Sequence, residues 1–203
     1  MNETYHYLAY ITAKNTIDFL EQGARIHYFC KEFALTPTCI YAEFTGMHEK
    51  LNTLKERITK NDVLILDSVS TLYDEQVITW FIEEEIKFIC LSLPFSVENR
   101  MVKKIPVPFG QAVCRLILAR LKEETLQEAD SLYPASSPVN ASSISSLTFN
   151  TFSLLYQDML HRKITRDTLM KEHFLSYADY TQYRYVYWNE YFLHSIFPQI
   201  VWN

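Results

Sequence analysis

Apolar and polar residues fall into two kinds of block along the first 130 residues of the chain. Short, nearly continuous apolar runs bounded by turn residues are typical of buried strands, and such runs occupy 5–13, 39–44, 62–67 and 87–93. Between them, apolar residues recur every three or four positions, which predicts helices at 15–35, 51–58 and 73–84. Because strands that alternate with helices usually pair in parallel, the pattern predicts an α/β fold with a mostly parallel sheet.

The rest of the chain is predicted to be helical, with one boundary. A long helix is expected at 109–130, and 131–146 is rich in Ser, Pro and Ala, as linkers are. We therefore expect an α/β domain at 1–130, a linker at 131–146 and a small three-helix unit at 147–203. The apolar side of the long helix is longer than one small domain needs, so a homodimer through 109–130 is also expected. That side carries Val113, Leu116, Ile117 and Leu121.

The amino-acid composition limits the kinds of ligand-binding site that the chain can contain. The chain has only three Gly residues and contains neither GxGxxG nor GxxxxGK[ST], which excludes Gly-rich phosphate loops. Its four Cys residues lie in apolar contexts without CxxC spacing, which favours free thiols in a reducing cytosol over a metal site. The chain starts without the basic and apolar segments of a signal peptide, and no apolar run reaches the length of a membrane span. We expect a cytoplasmic protein with no metal, cofactor or membrane partner.

The net charge of −5 is unevenly distributed. Residues 1–99 carry 8 Lys and Arg against 15 Asp and Glu, whereas 100–122 holds six basic residues and no acidic one. This segment is the one candidate footprint for a polyanion such as DNA, and a solvated helix face is the alternative interpretation. Its basic residues are Arg100, Lys103, Lys104, Arg115, Arg120 and Lys122.

The third predicted strand leads into a polar stretch, 67–71, at the place where open α/β sheets put their active sites. Asp67 has the chemistry of a general base, although a carboxylate there more often caps a helix or bonds a loop. Two further stretches lie at the boundaries of predicted elements. Residues 9–14 end the first strand, and Gly110-Gln111 opens the long helix. A turn, Phe44-Thr45-Gly46, follows the second strand.

The order and spacing of these stretches resemble the serine recombinases, the family of resolvases and DNA invertases. Against the family's Tyr-x-Arg-Val-Ser, this chain has Ile11 where the arginine would be and Ala13 where the nucleophilic serine would be, with Thr12 one position away. Against Leu-Asp-Arg-Leu-x-Arg it keeps Asp67 but has Ser68 and Thr71 at the two arginines. The arginine expected after the turn is also missing, with His48 nearby.

The resemblance implies a resolvase-like α/β domain, a long dimerising helix and a helix-turn-helix unit, but not the family's chemistry. Phosphoryl transfer without a metal needs fixed cations around the phosphate, and bidentate arginine is their usual source. Lys14 offers one point charge without arginine's planar fork. We therefore predict a pseudo-enzyme with no strand cleavage and no catalytic residue.

The C-terminal unit fits a helix-turn-helix in length, and its third helix would then be the DNA reader. That helix holds Asp179, Thr181, Gln182, Arg184 and Asn189 as reading candidates, of which Gln182 and Arg184 are the strongest. It also holds a tyrosine-rich run, 177–191, which indicates either the core of a small helical unit or a stacking surface.

Three functions are compatible with these residues. The first is a catalytically inactive recombinase-like protein that binds DNA or regulates a functional recombinase. The second is a protein-interaction module with no nucleic-acid contact. The third, a small-molecule hydrolase or transferase that uses Asp67 and Thr12, has the weakest support.

Overall fold

The computed structural model describes residues 5–100, 103–130 and 147–192. Within these ranges the chain forms seven α-helices, a four-stranded parallel sheet and a separate two-stranded sheet. It divides into two compact units, one from the first strand to the fourth helix and one made of the last three helices. The predicted linker, 131–146, lies outside the described residues.

The helices and strands of the first unit follow the predicted α/β order. They are β1 (His6–Ala13), α1 (Thr16–Glu32), β2 (Cys39–Phe44), α2 (Glu49–Arg57), β3 (Asp62–Leu66), a 3-10 helix (Val69–Tyr73), α3 (Glu75–Glu83), β4 (Phe88–Cys90), β5 (Ser96–Arg100), β6 (Lys103–Val107) and α4 (Gln111–Asp130). The second unit contains α5 (Phe149–Leu160), α6 (Arg166–Glu172) and α7 (Tyr177–Phe192). The α/β fold and the mostly parallel sheet are therefore confirmed.

The main sheet has the strand order β2-β1-β3-β4, and every neighbouring pair is parallel. Ala9 in the central strand β1 lies opposite Ile40 in β2 and Ile65 in β3. Alternate residues of β1 enter different hydrophobic clusters, one shared with α1 and the other with α2, α3 and α4. Because parallel strands end at the same edge, the segments after β1 and β3 lie side by side at the carboxyl edge of the sheet.

Helix α1 starts at an N-cap, where the Asn15 side chain accepts a hydrogen bond from the Asp18 amide. Its buried side includes Leu20, Ala24 and Ile26. The same helix also buries two polar residues, Glu21 and Gln22, near the carboxyl edge of the sheet. A helix that buries polar side chains needs partners for them, and these partners form the candidate site described below.

The β5–β6 hairpin was not predicted from the apolar pattern. The two strands pair antiparallel, with Ser96 opposite Val107 and Arg100 opposite Lys103. Most of β5 is exposed and polar, so the apolar alternation that marks a half-buried strand is missing. One side of β6 is anchored to the main sheet, because the Tyr7 hydroxyl donates a 2.6 Å hydrogen bond to the Pro106 carbonyl.

Helix α4 uses part of its apolar side within its own unit. Cys114, Leu118 and Leu121 are buried in the cluster that also contains residues of α3, and Ile117 packs against that cluster. Val113 and Leu116 are exposed instead. The predicted apolar side of α4 is therefore divided. Ile117 and Leu121 face the core, whereas Val113 and Leu116 face outward.

The second unit has a core of aromatic rings that pack mostly edge to face. Phe152 and Tyr156 of α5 pack against Tyr180 of α7, and Tyr187 lies 4.7 Å from Tyr156 between ring centroids. The Trp188 indole N–H donates a 3.1 Å hydrogen bond to the Tyr156 hydroxyl. This packing shows that part of the tyrosine-rich run forms the core, as one of the two interpretations expected.

Four helices end at a non-glycine residue in the left-handed conformation. After α1, α3, α5 and α6 respectively, φ is 49° at Ala34, 51° at Glu85, 61° at Arg162 and 50° at Phe174. In each case the next amide bonds back to a carbonyl five residues earlier, as Leu35 N–H does to Cys30 O at 2.8 Å. A non-glycine residue in this conformation destabilises the fold by roughly 1–2 kcal/mol, so the scarcity of glycine lowers the free energy of unfolding.

Candidate functional site

The carboxyl edge of the sheet holds a buried ion pair between Asp67 and Arg25. Asp67 follows β3 and is 6% exposed, and Arg25 reaches it from the middle of α1. The Arg25 Nε donates to Oδ1 and an Nη to Oδ2, both at 2.7 Å. Glu21, one helical turn earlier, lies 3.9 Å from the same guanidinium. Bidentate contact with a carboxylate is the strongest pairing available to arginine, so Asp67 holds Arg25 in place.

Two threonine hydroxyls meet beside this ion pair. Thr12 Oγ1, at the end of β1, donates a 3.2 Å hydrogen bond to Thr71 Oγ1 in the 3-10 helix. Thr71 is buried and Thr12 is half-buried. The Gln22 side chain donates from Nε2 to the Thr12 carbonyl at 2.8 Å, while its buried Oε1 has no hydrogen-bond partner among the residues that the structure describes. Gln22 therefore fixes the end of β1 against α1.

Ala13 and Ile11, which the sequence resemblance aligns with a nucleophile and an arginine, are buried in the core. Ala13 is 0% exposed, and Ile11 is also buried. Both belong to the hydrophobic cluster between the sheet and α1, on the side of β1 opposite to Thr12. A side chain at 13 cannot face the same space as Thr12, because successive strand residues point to opposite faces.

The remaining predicted positions have local structural roles. The Ser68 hydroxyl accepts from the Ser70 amide and caps the 3-10 helix. The Ser92 hydroxyl, after β4, accepts from the Val69 amide at 3.0 Å. His48 Nε2 lies 2.9 Å from Asp74 Oδ2, and Asp74 is the N-cap of α3. These contacts hold the loops in place at the carboxyl edge of the sheet. The polar groups of the loops are therefore bonded to one another.

Sequence reasoning found Asp67 and missed Arg25. The arginine lies in mid-helix, 42 positions before its partner, and no motif links the two. One signal was present: the polar residues 21, 22 and 25 lie among the apolar positions 20, 24 and 26 of the predicted helix. Polar residues at helical spacing on a buried face indicate a buried polar network, and an arginine among them indicates a carboxylate partner.

The charged and hydroxyl groups at this edge are engaged mainly with one another. Within the described residues, its one arginine is neutralised by Asp67, and Lys14 is exposed at the end of β1. The hydroxyls of Thr12 and Thr71 bond each other rather than a general base. The described residues also contain no cluster of three or more His, Cys, Asp or Glu side chains that could hold a metal ion.

The basic segment 100–122 is largely compensated by nearby groups. Arg100 pairs with Glu98 at 2.9 Å, Arg115 pairs with Glu85, and Arg120 pairs with Glu124 at 3.0 Å. Lys103 donates to the Ala34 carbonyl at 2.8 Å. The two remaining members are Lys104, exposed on β6, and Lys122, half-buried on α4. The segment is therefore a weaker electrostatic footprint than its sequence indicates.

The predicted reading residues of α7 separate into two groups. Thr181 and Gln182 are exposed. Asp179 instead bonds the Ser176 hydroxyl at 2.6 Å, and its amide donates back to that hydroxyl, which caps the helix. The Arg184 guanidinium lies over the Tyr180 ring at 5.3 Å. The side chain of Asn189 lies outside the described part of the chain.

No protein-family model matches the chain, and no curated protein matches it either. In the part of the chain that the structure describes, no helix is both long enough and apolar enough to cross a membrane.

Proposed function

We propose that this protein is a catalytically inactive, serine-recombinase-like protein that acts by binding DNA or a functional recombinase. The observation that carries the proposal is the ion pair between Arg25 and Asp67 at the carboxyl edge of the sheet. In a site built for phosphoryl transfer, cations must be available to the phosphate. Here the arginine is fully engaged by a carboxylate, and the nucleophile position, Ala13, is buried in the core.

The fold supports this proposal. The strand order β2-β1-β3-β4 brings the ends of β1 and β3 together, as the resemblance requires of a recombinase-like site. A long helix, α4, follows the sheet and exposes Val113 and Leu116 on one side. We propose that this exposed side pairs with a second copy of the chain or with the corresponding helix of a functional recombinase.

The DNA contact is proposed to lie mainly in the second unit. There, α6 and α7 are separated by only four residues, which is the spacing of a helix-turn-helix. The second helix of that motif lies in the major groove and contacts base edges with its N-terminal residues. The exposed residues Thr181 and Gln182 lie in the N-terminal half of α7. Lys104 in β6 is proposed to add a phosphate contact.

Two measurements test the proposal on the full chain. The first incubates the protein with supercoiled plasmid, and we expect neither nicked product nor a covalent protein–DNA adduct. The second measures binding to duplex DNA as a function of salt concentration, and we expect retention at low salt. Lys104→Gln should reduce the slope of log K against log salt by about 0.9. Arg115→Gln is the matched control, because Glu85 already neutralises that arginine. An adduct would overturn the inactive assignment.

A second function, a protein-interaction module without DNA contact, is favoured by one observation. Arg100, Arg115 and Arg120 are each paired with a glutamate, so the segment 100–122 presents little free positive charge. Phosphate contacts supply most of the non-specific affinity for DNA, and a compensated surface cannot supply them. If the protein flows through a DNA column at low salt, this second function replaces the first.

A further inference from the structure

We propose that the exposed face of α7 reads A·T base pairs in the DNA major groove. The inference rests on the proposed DNA-binding function and names the class of sequence that the protein would select. It comes from the kinds of side chain that α7 exposes and from the kinds that it holds in other contacts.

Among the described side chains of α7, the exposed face lies within the first nine residues of the helix. Tyr177, Ala178, Thr181, Gln182 and Tyr185 are exposed, and their spacings of one, three or four positions place them on one side of the helix. On the other side, α7 packs its buried residues Tyr180 and Tyr187 into the aromatic core of the unit. The core therefore fixes which side of α7 a groove can contact.

The three central residues match the major-groove pattern of A·T pairs. A glutamine side chain can bond the N6 and N7 atoms of adenine together, whereas methyl groups of Ala and Thr contact the thymine methyl. Gln182 supplies the amide, and Ala178 and Thr181 supply methyl groups. The Thr181 hydroxyl donates to the Tyr177 carbonyl at 2.9 Å, so its hydrogen-bonding capacity is used within the helix.

The side chains that would read G·C pairs are held elsewhere. Guanine is read by Arg or Lys, and the one basic residue of α7, Arg184, lies over the Tyr180 ring. Cytosine is read by Asp or Glu, and Asp179 is bonded to the Ser176 hydroxyl at the helix cap. Among the described side chains of α7, the exposed face therefore favours A·T over G·C.

The ends of the face carry aromatic hydroxyls rather than cations. Tyr177 is 67% exposed and Tyr185 is 60% exposed, and tyrosine hydroxyls are among the donors that contact DNA phosphates. Neutral phosphate contacts position a helix but release few counterions. The proposed complex should therefore depend on base contacts more, and on salt less, than that of a strongly basic DNA-binding protein.

The test compares the full-length protein on four labelled duplex polymers: poly(dA–dT), poly(dA–dU), poly(dI–dC) and poly(dG–dC). Replacing thymine by uracil removes only the major-groove methyl. The I·C pair has the major-groove edge of G·C and the minor-groove edge of A·T. We expect tight binding to poly(dA–dT), weaker binding to poly(dA–dU), and equally weak binding to the other two polymers. The preference for A·T over I·C should be roughly five- to 100-fold.

Two substitutions assign the preference to named side chains. Gln182→Ala should lower the ratio of A·T to I·C affinity by about fivefold or more. Thr181→Ser keeps the hydroxyl and removes one of the two methyl groups, so it should reduce the difference between poly(dA–dT) and poly(dA–dU), and Ala178 accounts for the remainder. Gln76→Ala, at an exposed glutamine of α3, is the matched control and should change neither ratio. All three positions are exposed, so the variants should fold.

The outcomes separate this inference from the function on which it rests. Equal binding to poly(dA–dT) and poly(dI–dC) would overturn the major-groove assignment while leaving DNA binding intact. An unchanged ratio in Gln182→Ala would overturn the role of α7 in the same way. Failure to bind any of the four polymers at low salt would overturn the proposed DNA-binding function itself, and the inference with it.

Discussion

Arg25 and Asp67 form a two-pronged ion pair, with both nitrogen–oxygen distances at 2.7 Å, between the middle of α1 and the end of β3. The pair lies at the edge of the sheet where α/β enzymes usually bind their substrates. Each charge satisfies the other, and Asp67 is largely removed from water. The ion pair therefore holds α1 and the end of β3 together.

Breaking this ion pair should strongly destabilise the fold. Arg25→Met leaves the Asp67 carboxylate buried and unpaired, so the free energy of unfolding should fall by about 3 kcal/mol. The double variant Arg25→Met/Asp67→Leu should recover much of that loss, because the Asp67 carboxylate is then removed together with its cation. The contact of Glu21 with the guanidinium, at 3.9 Å, is lost equally in both variants. Urea denaturation followed by circular dichroism measures both effects. Arg120→Met, in an exposed pair, is the control and should cost less than about 1 kcal/mol.

A serine introduced at position 13, which the resemblance aligns with the recombinase nucleophile, should not produce catalysis. Ala13 is fully buried among apolar side chains, so the hydroxyl of Ala13→Ser has no polar surroundings and should cost about 1–3 kcal/mol in stability. Incubation with supercoiled plasmid, followed by denaturing gel electrophoresis, should reveal no covalent adduct. Detection of an adduct with Ala13→Ser would show that this position reaches DNA, contrary to the packing.

The residues that follow helices in the left-handed backbone conformation offer a stabilising substitution. Ala34→Gly should raise the free energy of unfolding by roughly 1 kcal/mol, because glycine adopts the φ of 49° without steric cost. The same change at Ala119, an exposed position within α4, should lower stability by about the same amount. Opposite signs for one chemical change would identify backbone conformation as the cause. A loss of stability at both positions would contradict the assigned helix end.

Cys30 should remain a protonated thiol in the folded protein. Burial raises the pKa of Cys30 to about 12 from its usual 9.0, so the folded state holds this proton more tightly than the unfolded state does. The resulting stability is complete below pH 9.0 and is lost as the pH rises toward 12. Denaturation curves above pH 9.0 should show a steeper decline for the wild type than for Cys30→Ala. Parallel curves would contradict the assignment.

The exposed side of α4 provides a test of self-association. Leu116 is 72% exposed, and Leu116→Asp should convert a dimer into a monomer, because an aspartate in a helix pair is buried without a partner. Leu154→Asp on α5 makes the same change at a similarly exposed leucine and should leave the mass unchanged. Light scattering at tens of micromolar distinguishes the two, and a monomeric wild type would rule out the proposed dimer.

The main sheet and its helices could be predicted because burial on both faces leaves continuous apolar runs. The run 62–66 became β3, all of whose residues are buried. The β5–β6 hairpin escaped prediction because it is held by backbone pairing and by the bond from Tyr7, while most of its side chains face solvent. Sequence periodicity reports burial, so an exposed hairpin leaves little trace.

The candidate site was only half predictable for a different reason. Asp67 follows directly from the end of a buried strand, where chain topology alone places it at the carboxyl edge. Arg25 depends on the lateral position of α1 over the sheet, which brings residues 42 apart into contact. No local pattern encodes that position. The expectation of a site without arginine thus rested on sequence positions alone, and tertiary packing supplied an arginine from elsewhere.

The central place of β1 in the sheet has a consequence for synthesis on the ribosome. Its eight residues emerge before either of its two neighbours, β2 and β3, which end only at Phe44 and Leu66. A nascent chain must therefore leave one edge of this apolar strand unpaired until more than fifty further residues have been made, and unpaired strand edges are prone to aggregate. Chaperone dependence should accordingly be greatest for nascent chains that end before β3 and should fall once β3 has emerged.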